Sequence, residues 1–169
     1  MDDEFYMRIA LEEAQKAGSL DETPIGCVIV RNGDVIAKGS NRRNMMGSVL
    51  GHAEIEAIRK ACTVTGDWRL EDCTMYVTLE PCPMCAGAIV QARIPRVVIG
   101  AMNPKAGCAG SVLDLFHQNG LNHQVDAENG ILASECSALM TDFFKKLRQK
   151  HKIIYGSVQE GDKIHDQNG

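Results

Sequence analysis

The sequence predicts an α/β fold in which helices cover one mixed β-sheet. The chain has 169 residues, which suits a single domain. Its hydrophobic fraction of 44% is sufficient for a buried core. Strand-like and helix-like segments alternate along most of the chain, which is typical of strands joined by helical crossovers. Much of the sheet should therefore be parallel, with ligands binding near the carboxyl ends of its strands.

Five segments have the pattern of strands. Residues 25–30 form an apolar run typical of a buried strand, and Asn32-Gly33 is a strong two-residue hairpin turn. The chain then returns antiparallel. Pro81 marks the end of the third strand, because proline cannot donate to the ladder. The predicted strands cover residues 25–30, 35–37, 73–79, 96–101 and 123–127.

Helical patterns account for the segments around these strands. Asp2 or Asp3 can cap a first helix, and Gly18 is suited to its end. Pro83 is suited to the first turn of another helix, where its missing N–H leaves no hydrogen bond unmade. The last helix is long and amphipathic. The predicted helices cover residues 3–17, 52–62, 83–92, 112–116 and 132–149.

The chain shows no internal repeat or low-complexity linker. We therefore predict one domain over residues 1–156 and a disordered tail over residues 157–169. No apolar run approaches the roughly 20 residues that cross a bilayer, so no membrane association is expected. The acidic start, Met1-Asp2-Asp3-Glu4, is unlike a secretory signal and predicts a cytoplasmic protein. The net charge of −4 excludes a globally cationic nucleic-acid-binding protein but allows a local basic patch.

Two short segments carry metal-binding side chains, and each opens a predicted helix. His52-Ala53-Glu54 contributes an imidazole, and Pro81-Cys82-Pro83-Met84-Cys85 contributes two thiols. One nitrogen and two sulfurs are donors that zinc prefers, and three protein ligands leave a position for water. The cysteine pair alone could equally be a redox pair or a packed turn. The accompanying His-x-Glu segment favours a catalytic metal.

The spacing of these residues indicates where the site lies. Cys82 and Cys85 are three residues apart, so both sulfurs can reach one point from the first turn of a helix, whose N-terminus stabilises their thiolates. His52 and Glu54 are two apart and can converge only beyond the N-terminus of their helix. Because two thiolates already neutralise a zinc dication, a carboxylate that moves protons is useful. We assign this proton-transfer role to Glu54. The alternative is that Glu54 only stabilises the start of its helix, because helix N-termini favour acidic side chains.

The pattern H-x-E…P-C-x-x-C is typical of zinc nucleobase deaminases. From Met7 to about Lys150, the chain resembles the bacterial tRNA-specific adenosine deaminases (the TadA type) of the cytidine/deoxycytidylate deaminase superfamily. The segments near the C-terminus are the most specific to the tRNA enzymes. The matching segments include Pro24-Ile25-Gly26, Asn41-Arg42, His52-Ala53-Glu54-Ile55, Leu79-Glu80-Pro81-Cys82, Asn122-His123 and Phe143-Phe144.

This resemblance implies a cytidine deaminase-like fold, a three-layer α/β/α arrangement with a mixed five-stranded sheet. It also implies a homodimer that converts adenosine to inosine at the wobble position of a tRNA anticodon, in an arginine tRNA. By position, His52, Cys82 and Cys85 would bind one Zn²⁺ per subunit. Glu54 would be the general acid/base, and Asn41 would hydrogen-bond the flipped nucleoside. A single-stranded anticodon loop makes removal of the base from its stack inexpensive.

Several features admit other interpretations. Asn41 can serve as a turn residue. Residues 143–152 hold five Lys or Arg, which form either a solvated helix end or a patch for the anticodon stem; we favour the RNA. Gly51 and Asn103 depart from the residues common in the family, which bears on nucleic-acid contacts. The rival functions are a deaminase of a free base or nucleoside, of guanine or cytosine type, and a non-catalytic zinc-stabilised RNA-binding module.

Overall fold

The computed structural model describes residues 2–162, with side chains up to Ile154. Helices and strands alternate after the first hairpin, as the sequence predicts. The helices are α1 (Asp3–Ser19), α2 (Arg43–Met46), α3 (Ala53–Thr65), α4 (Pro83–Gln91) and α5 (Ala133–Asp162). The strands are β1 (Gly26–Arg31), β2 (Asp34–Ser40), β3 (Cys73–Leu79), β4 (Arg96–Ala101) and β5 (Asp126–Asn129).

The strands form one sheet in the order β2-β1-β3-β4-β5. β1 and β2 make a hairpin, and its turn residues Asn32 and Gly33 have φ values of 52° and 87°, as a type I′ turn requires. β1 is also antiparallel to β3, whereas β3, β4 and β5 run parallel. The predicted mixed five-stranded sheet is therefore confirmed.

Helices cover both faces of this sheet. Neighbouring strand residues point to opposite faces, so Val28 and Ile29 of β1 belong to different cores. Met7 of α1 and Cys136 of α5 pack in the core that contains Val28. Ile89 of α4 packs with Ile29, and α3 contributes its alanines to the same core. The result is the predicted three-layer α/β/α arrangement.

Strand direction brings the starts of α3 and α4 to one edge of the sheet. Because β1 is antiparallel to both β2 and β3, these two strands run in the same direction. The segment with α2 connects β2 to α3, and α4 follows β3 after three residues. The N-termini of α3 and α4 therefore lie at the same end of the sheet, on the same face. Ligand-binding crevices are usual at this position in α/β folds.

The structure differs from the predicted elements where the local pattern is weak. The short helix predicted over residues 112–116 is wrong, because this stretch forms turns closed by a bridge between Ala109 and Asp114. Phe116 is fully buried and Leu115 packs partly against the same core, whereas Val112 and Leu113 are exposed, so this stretch has no continuous buried helical face. β5 begins three residues later than predicted. The Nε2 atom of His123 instead hydrogen-bonds the Ile94 carbonyl, ahead of the strand.

The last helix is longer than predicted. α5 continues past Gln149 to Asp162, so the tail predicted from residue 157 overlaps its end. Residues 163–169 of that tail lie outside the described residues. Leu139 packs against the core between α1 and the sheet, and the residues that follow it on α5, as far as Ile154, are mostly exposed. No helix within residues 2–162 is long and apolar enough to cross a membrane.

Candidate metal centre and active site

Three metal-binding side chains meet where α3 and α4 begin. His52 immediately precedes α3, Cys82 immediately precedes α4, and Cys85 lies in the first turn of α4. The Nδ1 atom of His52 lies 3.6 Å from Cys82 Sγ and 3.5 Å from Cys85 Sγ. Among the described residues, this is the one group of His, Cys, Asp or Glu whose donor atoms all lie within 4.8 Å of one another. We call it the donor cluster.

The spacing of the donor cluster suits a zinc ion. Typical Zn–N and Zn–S bonds of about 2.0–2.1 and 2.3 Å, at tetrahedral angles, separate nitrogen from sulfur by about 3.6 Å. The distances from His52 Nδ1 to the two sulfurs, 3.6 and 3.5 Å, agree with this value. No fourth His, Cys, Asp or Glu of residues 2–162 joins the group. Three protein ligands are characteristic of catalytic zinc sites, whereas structural sites are closed by four.

The two thiols of the donor cluster differ in acidity. A hydrogen bond from Cys85, reinforced by His52, lowers the pKa of the Cys82 thiol to about 4. The same hydrogen bond, together with burial, raises the pKa of Cys85. Cys82 is the more acidic thiol of the pair, and it lies next to the first N–H groups of α4, where a helix favours anions. A thiolate is the form in which cysteine binds metals.

Glu54 lies beside the donor cluster, in the first turn of α3. Its side chain is 4% exposed. The carboxyl group hydrogen-bonds the Cys85 side chain and interacts electrostatically with Cys82 and His52. Burial raises the pKa of Glu54, which favours its protonated form at higher pH than for an exposed glutamate. A buried carboxyl group that can hold or release a proton at this place is suited to acid–base chemistry.

Asn41 follows β2 and is buried. Its Nδ2 atom donates to the Thr23 carbonyl at 3.2 Å, and its Oδ1 accepts from the Arg43 N–H at 3.4 Å. These bonds are those of a turn residue. A side-chain amide has two donor hydrogens and two acceptor lone pairs, so one of each remains after these bonds. The substrate contact at Asn41 stays a prediction.

The segment after Asn41 packs against the residue that precedes His52. The Arg42 N–H donates to the Gly51 carbonyl at 2.8 Å. A Cβ atom at Gly51 would lie 2.9 Å from the backbone of Arg43, so the absence of a side chain permits this approach. The glycine at position 51, which differs from the residue common in the family, therefore allows the backbone around Arg43 to pack closely against it. Asn103, the other departure, accepts from the Lys105 N–H in its own loop at 3.3 Å.

Two buried glutamates near the donor cluster were not singled out from the sequence. Glu22 and Glu80 are 1% and 2% exposed, and each accepts hydrogen bonds from the backbone of a loop beside the cluster. The available sequence signal is an acidic residue next to an apolar strand: Glu80 directly follows β3, and Glu22 lies four residues before the start of β1. That signal is weak, because acidic residues are also common at exposed strand ends.

The C-terminal basic run lies on α5, apart from the donor cluster. A groove of about 550 Å³ separates α5 from the end of α1, and its lining includes Lys146, Lys150 and His151. The Nζ atom of Lys150 lies 2.8 Å from Asp21 Oδ1. Asp21 is followed by Glu22 and Thr23, whose oxygens contact the segment of residues 41–45. The basic run is therefore a separate surface, linked to the site through the loop between α1 and β1.

Comparison with known proteins gives consistent matches. A family model of MafB19-like deaminases matches residues 1–148. The chain is 46% identical, over 94% of its length and 98% of the relative's, to a tRNA-specific adenosine deaminase of Bacillus subtilis (strain 168). A solved structure from work on A-to-I editing by tRNA:A34 deaminases at the wobble position is 45% identical with a TM-score of 0.78, covering 80% of this chain and 98% of that one. A guanine deaminase of Bacillus subtilis is 33% identical with a TM-score of 0.60, covering 88% and 95%. These matches confirm the predicted fold.

Proposed function

Because the chain belongs to the MafB19-like deaminases and to the family of tRNA-specific adenosine deaminases, we propose that it hydrolyses adenosine to inosine in tRNA and releases ammonia. The target is the wobble position of an anticodon, in an arginine tRNA, as the sequence resemblance implies. The observation that carries this proposal is the three-donor cluster with a buried glutamate beside it. The enzyme is a hydrolase of C–N bonds, and its work is tRNA editing.

The cofactor in this proposal is one Zn²⁺ per subunit, held by His52, Cys82 and Cys85. The two N···S distances support zinc, since they equal the edges of a tetrahedral site. The thiolate form of Cys82 supplies the charge that a metal ligand needs. A zinc ion with three protein ligands supplies an activated water for attack on C6 of adenine.

Glu54 moves the protons of the reaction. Addition at C6 requires a proton on N1 of the adenine, and departure of the amine requires a second proton on nitrogen. Both protons come from the attacking water, and a carboxyl group whose pKa is raised by burial can carry them in turn. Its contact with Cys85 holds it next to the donor cluster. The remaining hydrogen and lone pair of Asn41 orient the nucleoside in this proposal.

The RNA is bound by the basic run of α5 and the loop that leads from it to the site. A protein with a net charge of −4 needs a local concentration of cations to hold phosphates. Five Lys or Arg between residues 143 and 152 provide it. We further propose a homodimer that works in the cytoplasm, where its relatives' substrate would be found.

The second candidate is deamination of a free base, and the 33% identity to a guanine deaminase is the observation that favours it. Purified, zinc-loaded protein is incubated with an anticodon hairpin bearing a wobble adenosine, and separately with free adenosine, cytidine and guanine. Inosine formed only in the hairpin is the expected result. Product only from free compounds would replace the proposal with the second candidate, and no product from any substrate would favour a binding module.

A matched hairpin with guanosine at the wobble position controls for inosine that arises elsewhere. Size-exclusion chromatography with light scattering, run on the same protein, tests the dimer. A monomer at the concentrations of the activity assay would refute that part of the proposal.

A further inference from the structure

We propose that Glu22 and Glu80 are positioning residues, whose buried carboxylates fix the two loops beside the donor cluster in the conformation that binds the RNA substrate. The inference rests on the proposed function and deepens it. We call residues 41–51 the front loop and residues 102–113 the side loop. Neither glutamate is a zinc ligand or a general acid/base in the proposed mechanism.

Glu80 holds the side loop through hydrogen bonds to its backbone. Its carboxylate accepts hydrogen bonds from the N–H groups of Asn103 at 2.8 Å, Ala109 at 3.0 Å and Ser111 at 3.0 Å. The Ser111 hydroxyl donates a fourth bond. A Cβ atom at Gly107 would collide with the carboxyl group, so this loop closes around Glu80 with no space to spare. One side chain thus determines the path of the loop over nine residues, from Asn103 to Ser111.

Glu22 does the same for the front loop. Its two oxygens accept from the N–H groups of Asn44 at 3.1 Å and Met45 at 2.6 Å. These are orphan donors of the short helix α2, which has no side-chain cap of its own. The acid that satisfies them comes from the loop between α1 and β1, more than twenty residues earlier in the chain.

Both loops connect directly to the metal ligands. The Cys108 N–H donates to the Pro81 carbonyl at 2.9 Å, immediately before Cys82. The Arg42 N–H donates to the carbonyl of Gly51, immediately before His52. The two loops also carry exposed apolar side chains, among them Met46 and Leu113, at 60% and 54% exposure. Each loop is therefore joined to a buried glutamate on one side and to a metal ligand on the other, and in this proposal its exposed surface contacts the RNA.

The chemistry requires a carboxylate at both positions. Neither Glu22 nor Glu80 forms an ion pair within the described residues. Backbone N–H groups supply the hydrogen bonds to Glu22, and backbone N–H groups together with the Ser111 hydroxyl supply those to Glu80. Hydrogen bonds to an ionised acceptor are roughly twice as strong as neutral ones. A glutamine in the same place would turn an NH₂ group towards N–H donors, and part of the loop would lose its partner.

The test compares Glu80→Gln and Glu22→Gln in the zinc-loaded, full-length protein. If each loop occupies its binding conformation for only about a tenth of the time, the KM for the anticodon hairpin rises roughly tenfold, because apparent affinity scales with the competent fraction. The kcat at saturating hairpin and the zinc content should stay within about twofold of the wild type. Ser111→Ala, which removes one bond of four at Glu80, should give a smaller rise in KM and guards against misfolding of the glutamine variant.

Amide hydrogen exchange provides a readout that needs no substrate. Glu80→Gln should accelerate exchange in residues 103–111, with residues 44 and 45 unchanged, and Glu22→Gln should do the reverse. Glu13→Gln is the matched control, because Glu13 is also a buried glutamate but accepts from the Ser40 hydroxyl and from Lys16, not from either loop's backbone. It should leave exchange in both loops unchanged.

Unchanged exchange in the loop that a substituted glutamate holds would overturn the inference, as would an unchanged KM for the hairpin or a loss of zinc from the variant. If the wild type fails to deaminate the hairpin, the proposed function fails. The exchange pattern still decides whether the two glutamates fix the loops.

Discussion

Replacement of Glu54 is the sharpest test of the proposed chemistry, and two substitutions separate its effects. Glu54→Gln keeps the size of the side chain and removes its ability to carry a proton. Each proton transfer by a positioned side chain contributes roughly 10²–10⁴-fold to the rate. Glu54 serves two such transfers in turn, so we expect kcat to fall by at least about 10³-fold, or about 4 kcal/mol of activation free energy.

Glu54→Asp keeps the carboxyl group and withdraws it by one methylene, a displacement of about 1 Å. A misplacement of this size costs on the order of 10²-fold. The site is closed at this point, since Glu54 is 4% exposed, and solvent has little access to take over the proton transfer. The expected order of kcat is therefore wild type, then Glu54→Asp, then Glu54→Gln.

The assay is single-turnover formation of inosine in the anticodon hairpin, with zinc measured on the same samples by mass spectrometry. Both variants should retain one zinc, because Glu54 is not among the three clustered donors. A Glu54→Gln enzyme within tenfold of the wild-type rate would refute the proton-transfer role. Loss of zinc from that variant would instead identify Glu54 as a ligand.

Three further outcomes follow from the same structure. Separate His52→Ala and Cys82→Ala variants should lose both zinc and activity; stoichiometric zinc by mass spectrometry in either would contradict the ligand set. Asp3→Asn should lower the free energy of unfolding at pH 7 by about 2 kcal/mol, because the Asp3 carboxylate accepts two hydrogen bonds from the Arg96 guanidinium. The bonds from Arg96 lower the pKa of Asp3, so this stabilisation is present above about pH 3.9 and is lost as the pH falls through the folded-state pKa; a urea-unfolding difference that grows in acid would refute it. Joint replacement of Lys145 and Lys146 by alanine should weaken hairpin binding and flatten its salt dependence in fluorescence anisotropy, and an unchanged salt slope would remove that surface from the interface.

The sequence was most informative where local chemistry decides the structure. Asn32-Gly33 predicted its hairpin because both residues accept positive φ. Strands β3 and β4 were predicted with their observed limits, since each is a mainly apolar segment with a proline close to one end, Pro81 after β3 and Pro95 before β4. The meeting of His52 with Cys82 and Cys85 followed from the need of each pair to face outward from a helix start.

Long-range contacts limited what the sequence could predict. The backbone partners of Glu80 lie 23 to 31 residues away, so no local window shows that this acid is buried and satisfied. The stretch ending at Phe116 contains apolar residues at helical spacing, but tertiary packing holds it as turns. The amide of Asn41 is likewise partly committed to Thr23, from a segment that sequence spacing does not connect to it.

His52 and Cys82 stand at the residues where a side chain ordinarily closes the end of a helix, yet neither makes that bond. A metal bound by both side chains would crosslink the N-termini of α3 and α4, so coordination rather than capping would hold these two helix ends. A chelator would then do more than abolish turnover. It would remove the crosslink between the N-termini of α3 and α4, and local unfolding would begin at the end of the sheet that carries the active site.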